Sequence, residues 1–199
     1  MKNPKIYIVI LISIVSLLYS CNEGHITGKY FLTDEMKSQI PYHGGETLFF
    51  TRNNVDTIMI VAMDRVNKVY EILDGINTNN YSIWEEESIY MNIDTIPNDT
   101  NSISLKMMTD FSGRNTFLEI VVYRGTITNR FSYTLPLSKE YTPYIDSIYI
   151  MNSWIKDVFV HETALENTMY YSTQYGIVKI DFSDGSFWEL ESIEWAERE

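Results

Sequence analysis

From residue 46 onward, apolar and polar residues alternate with a period of two along most of the chain. Clusters of Gly, Asn, Asp and Ser interrupt the alternation at short intervals. The pattern predicts a strand over Glu46 to Thr51 after the Gly44-Gly45 turn, and another over Thr57 to Met63 after Asn53-Asn54. Lys68 to Leu73 and Ser82 to Ile93 follow, separated by an Asn-rich loop at 77–80. Ile103, Leu105 and Met107 alternate with Ser104 and Lys106. Phe117 to Tyr123 reads as a strand buried on both faces, and Arg124-Gly125 turns it into Thr126 to Leu135. Ser147 to Met151 and Trp154 to Val160 flank a tight turn at Asn152-Ser153. Met169 to Ser172, Ile177 to Phe182 and Ser186 to Leu190 complete the set, with a hairpin turn at Asp184-Gly185. About ten to twelve short strands at this spacing predict an all-β antiparallel sandwich or a partly open barrel, with little helix. Glu35 to Ile40, or the stretch after Leu137, has room for a helical turn.

The first twenty residues follow a different rule. Met1 to Lys5 is short and positive, and Ile6 to Leu18 is apolar except for Tyr7, Ser13 and Ser16. That run is about 13 residues, the length of a signal-peptide core and short of the ~20 that span a bilayer. It ends in Leu18-Tyr19-Ser20-Cys21, which resembles the bacterial lipobox, with Tyr19 bulkier than usual for its place. The resemblance implies cleavage before Cys21 and lipidation of its thiol, and an ordinary secretory leader with an incidental cysteine is the alternative. Cys21 is the only cysteine, so the mature chain has no internal disulfide. Each buried methylene is worth ~0.8 kcal/mol, so two or three acyl chains hold a protein firmly on a membrane.

Removal of the leader leaves 179 of the 199 residues, enough for a self-sufficient core. The formal charge of −12 becomes −14 with the loss of Lys2 and Lys5. Such acidity argues against binding nucleic acid or anionic lipid. Fifteen Tyr, nine Phe and four Trp favour strands, and only three alanines follow the leader. Residues 21–28 read as a lipidated tether, and Lys29 to Glu199 as a single β-rich domain.

Candidate chemistry is sparse. His161-Glu162 is not completed to the His-Glu-x-x-His of a helical zinc site, because position 165 is Leu. Asp181 to Gly185, with Glu189 and Glu191 downstream, lacks the alternating oxygens of a calcium loop. No metal or other cofactor is therefore expected. In Glu85-Glu86-Glu87, the first and third share a strand face and would make a carboxylate pair. The alternative is a solvated charge run on an edge strand. Trp84, Trp154 and Trp188, with Trp195 nearby in sequence, would make a sugar-stacking platform unless they belong to the core. Asp56-Thr57-Ile58, Asp94-Thr95-Ile96 and Asp146-Ser147-Ile148 resemble the O-glycosylation acceptor motif of exported Bacteroidetes proteins. They name Thr95 first, then Thr57 and Ser147. There is no Gly-x-Ser-x-Gly elbow and no phosphate-cradling glycine loop.

The segments DSIYIMNSWIKDVFVHE and MYYSTQYGIVKIDFSDGSFWELE, with IPYHGGETLFF and NNVDTIMIV earlier, resemble an uncharacterised lipoprotein family of the Bacteroidetes. Asp157-Val158, Tyr170-Tyr171-Ser172, Gly176 to Lys179, Asp184-Gly185 and Trp188 to Leu190 carry the likeness. It implies a lipid-anchored β domain of the outer membrane and supplies no catalytic residues. The expectation is a non-enzymatic binding or assembly module with an envelope protein or a glycan as partner. The alternative is a glycan-active or hydrolytic lipoprotein using a carboxylate pair. With one acid in Asn22 to His25, and nine extended tether residues reaching at most about 30 Å, the periplasm-facing leaflet is favoured over the cell surface.

Overall fold

A computed structural model describes residues 24–76, 78–93, 101–110 and 112–197. Cys21 and Thr95 lie outside the described residues. The fold is all-β with one short helix. In chain order the elements are β1 (Ile26–Tyr30), α1 (Asp34–Ser38), β2 (Thr47–Arg52), β3 (Asp56–Ala62), β4 (Val66–Leu73), β5 (Tyr81–Ile93) and β6 (Ser102–Thr109). Then follow β7 (Thr116–Arg124), β8 (Ile127–Leu135), β9 (Tyr144–Ile150), β10 (Ser153–Glu162), β11 (Thr168–Ser172), β12 (Gly176–Asp181) and β13 (Phe187–Glu194).

The strands form one sheet, ordered β8-β7-β6-β5-β3-β2-β13-β12-β11-β10-β9, with β1 and β4 also paired to β5. Neighbours in the order are mostly neighbours in sequence because short turns, most of two, three or five residues, join them. The turns use the residues that tolerate a left-handed backbone: Asn53 and Asn54 have φ of 52° and 58°, and Gly185 has φ of 82°. The turn before β10 falls on Met151 and Asn152, both at φ 55°, one residue earlier than expected from Asn152-Ser153. Pairing of Ile150 with Ser153 fixes that register.

By its packing the chain divides into two compact units. Among the described residues, the smaller comprises 24–29 and 71–83, and the larger 30–70 and 84–197. In the smaller unit, residues 26–28 are strand, not free tether. Thr27 explains the ordering: its hydroxyl donates to the Asp74 carboxylate and lies 3.2 Å from the Tyr81 carbonyl. Tyr81 N–H donates to the His25 carbonyl at 3.0 Å.

In the larger unit the alternation works as a one-faced pattern. Ile103, Leu105 and Met107 of β6, Leu118, Ile120 and Val122 of β7, and Phe131 and Tyr133 of β8 all enter the core. Phe117 and Glu119 are only half-buried, so β7 is not covered on both faces as expected, although Val121 is buried too. The sheet of this unit curls so that β8 comes to face β10 and β11. The Tyr133 ring lies 5.5 Å from His161 and 5.7 Å from Tyr171, and its hydroxyl donates to the Met169 carbonyl at 3.2 Å.

Candidate functional site

The acidic triple sits on β5, which is bonded to other strands rather than forming an edge, so it is not a solvated charge run. Glu85 and Glu87 are buried and share a face, as the period of two requires. Each is already answered by a cation. Glu85 accepts from Lys37 Nζ at 2.6 Å, from the Leu32 N–H at 2.9 Å and from the Asn67 amide. Burial alone would raise its pKa, but these hydrogen bonds outweigh burial and hold the carboxyl below its ordinary 4.5. Glu87 pairs with Arg65, whose guanidinium also donates to the carbonyls of Lys37 (2.7 Å), Ile40 (3.2 Å) and Tyr42 (3.3 Å). Glu86, on the opposite face, pairs with Lys106 at 2.7 Å. Carboxylates spent in this way act as a scaffold: they fasten residues 31–42 to the sheet.

That fastening shapes one wall of a groove. Helix α1 starts at Thr33, whose hydroxyl accepts the Met36 N–H at 3.2 Å, and ends at Gln39. Nearly every polar atom of Gln39 is committed. Its N–H donates to the Met36 carbonyl at 3.1 Å, its carbonyl accepts the Tyr171 hydroxyl at 2.9 Å, and its Oε1 accepts the Leu137 N–H at 2.7 Å. Because a backbone N–H can only donate, that last bond fixes which end of the amide is oxygen. Gln39, only 9% exposed, lines a cleft of about 460 Å³.

The same cleft holds Gln174 and Thr173 on the turn between β11 and β12, shaped by the Ser172 hydroxyl, which accepts the Gln174 N–H at 3.2 Å. Lys139 and Asp157 close its far end, paired at 2.5 Å. Asp157 takes φ of 57° within β10, between the Lys156–Ser147 and Val158–Ile145 pairs. Toward the chain's end the cleft shares Ser38, Thr173 and Gln174 with a second one of about 350 Å³. That one shares His43 and Trp195 with a third of about 270 Å³. Trp195, 46% exposed, lies against the buried Tyr42 ring with centroids 6.5 Å apart and planes at 28°. Tyr42 is itself pinned: its hydroxyl donates to the Tyr175 carbonyl and accepts the Ile177 N–H, both at 2.9 Å. Burial pushes its phenol pKa well up, so it stays neutral. Glu46, buried, caps the nearby turn by accepting the N–H groups of His43 and Gly44 at 2.8 Å each.

The expected tryptophan platform is not assembled. Trp84 and Trp188 are 5% and 4% exposed, on β5 and β13, while Trp154 is 66% exposed on β10 and packs edge-on against Tyr149 at 5.3 Å. Indoles on strands fill the core when the pleat turns them inward, and sequence alone does not say which way the pleat turns. Trp195, just past β13, is the indole that lines the groove. His161 and Glu162 end β10 beside a separate cleft of about 380 Å³. Burial pushes the His161 imidazole below its ordinary range, partly offset by a hydrogen bond with the Ser132 backbone. At the closing hairpin, Asp184 is held at about 2 by the Ser186 hydroxyl and N–H and by Arg124. Asp181 pairs with Lys179 at 3.0 Å, so these acids are turned to protein partners. Among the described residues no three His, Cys, Asp or Glu side chains are grouped to hold a metal. Thr57 and Ser147 are both exposed, on β3 and β9.

No protein-family model matches the chain, and no curated protein matches it.

Proposed function

We propose that this chain is a non-enzymatic binding module of the bacterial envelope, lipid-anchored at Cys21, with the groove between α1 and the β11–β12 turn as its binding surface. The outer membrane, on its periplasm-facing leaflet, is the proposed location. The supporting observation is Gln39. Its amide, oriented by the bond to the Leu137 N–H, lines an open cleft in which Lys139 and Asp157 are paired with each other. A hydrolytic reading would need two carboxyls free to exchange protons. The pair that sequence singles out, Glu85 and Glu87, is instead bound to Lys37 and Arg65.

Site-directed thiol labelling tests this reading. With Cys21 lipidated, a cysteine replacing Thr173 in the groove is the one free thiol, and Ser183→Cys on the closing hairpin is its control. In intact envelopes the groove thiol is expected to label several-fold more slowly than in the purified protein, while the control labels equally in both. Equal labelling of the groove thiol in the two settings rules out an envelope ligand there.

A further inference from the structure

We infer that the groove takes an uncharged polysaccharide chain, several sugar units at a time. This inference rests on the binding-module reading and names its ligand class. Charge comes first. In a chain with 27 acidic and 15 basic residues, the middle of the groove carries no Asp, Glu, Lys or Arg. At one end Lys139 is consumed by Asp157, and at the other Glu46 is consumed by two backbone N–H groups. An anionic ligand finds no free lysine or arginine among these residues, only the His43 imidazole, and a cationic one finds Glu197.

Hydrogen bonding comes second. The Gln39 amide, its oxygen held by the Leu137 N–H, lines the cleft beside Gln174, Thr173 and Ser38, neutral groups that both donate and accept. Sugar hydroxyls need this mixture, because each is donor and acceptor at once. Third, Trp195 presents a half-exposed indole backed by a pinned phenol, and the apolar C–H face of a pyranose packs flat on such a ring. Fourth, three confluent clefts of about 270 to 460 Å³ make an elongated surface, suited to the interior of a polymer. A peptide added as a strand would need a free sheet edge. The strands beside the groove have none, since β10 is bonded to β9 and β11, and β11 to β12.

The test uses the full-length lipidated protein in a detergent without a sugar headgroup. It measures affinity electrophoresis and tryptophan emission with four uncharged probes: dextran, a β-1,3-glucan, cello-oligosaccharides and N-acetylglucosamine oligomers. Polygalacturonate serves as the charged comparison. At least one neutral probe is expected to bind, more tightly than polygalacturonate. Trp195→Ala and Gln39→Glu, which keeps the oxygen for Leu137 and removes the donor, should each weaken binding about tenfold or more. Gln174→Ala, at an exposed position that does not endanger folding, should weaken it less, and Trp154→Ala should leave it unchanged. Failure of all four probes at millimolar concentration overturns the inference. If Thr173→Cys stays protected in envelopes, the binding-module reading then survives with another ligand class. Tighter binding of polygalacturonate, or loss on Trp154→Ala with retention on Trp195→Ala, overturns the inference as well.

Discussion

Arg65 is the side chain on which the groove wall depends most. It joins β5 to three consecutive-turn carbonyls at residues 37, 40 and 42, and it is the cation for Glu87. Replacing it with Met leaves a buried carboxylate unpaired and three carbonyls unanswered. The expected loss is about 3–5 kcal/mol, seen as a lowered urea midpoint. Glu85 makes the neighbouring attachment sensitive to acid. Its folded pKa lies below 4.5, so its stabilisation is complete above the unfolded value and disappears as pH falls through the folded one. Thermal unfolding followed from pH 6 downward should therefore steepen below about pH 4.5, where unfolded carboxyls begin to bind protons. Glu85→Gln should flatten that limb, and an unchanged slope would show that Glu85 is not the group responsible.

At the scale of elements, the alternation and the turn chemistry made nearly every strand legible, because most strands show one face to the core. β1 was not: Ile26-Thr27-Gly28-Lys29-Tyr30 is too short and too polar to register as a period, and its order comes from partners 47 and more residues away. The groove was illegible for a related reason. Gln39, Asp157, Gln174 and Trp195 are ordinary residues at scattered positions, and only the long-range bonds from Tyr171 and Leu137 reveal that the Gln39 amide is held at the groove. The turns, by contrast, are local enough to predict energies. Asn54 is exposed at φ 58°, whereas Asn53 accepts the Phe187 N–H at 2.8 Å and has to stay. Asn54→Gly should raise stability by up to about 1 kcal/mol, since glycine adopts this backbone without strain. Asn54→Val should lower it by about 1–2 kcal/mol. Differential scanning calorimetry separates the two, and equal melting temperatures would refute the turn assignment.

For the whole molecule, the proposed anchor governs where binding takes place. Cys21→Ser should give an unprocessed precursor, or a soluble protein without lipid, in fractionated cells. Membrane association that persists with normal processing would remove lipidation from the picture. The strand at Ile26 gives that anchor a further meaning. Only five residue steps separate Cys21 from the first hydrogen-bonded strand, a span of at most about 18 Å. A lipidated copy is thus on a leash shorter than the bilayer core is thick. It cannot reach out to capture material at a distance, and it meets its ligand by sliding in two dimensions beneath whatever polymer lies against the membrane. Retention then depends on how many copies grip one strand at once. Modest affinity at each groove, multiplied along a polymer, would hold that strand firmly to the surface while every single contact stays free to exchange.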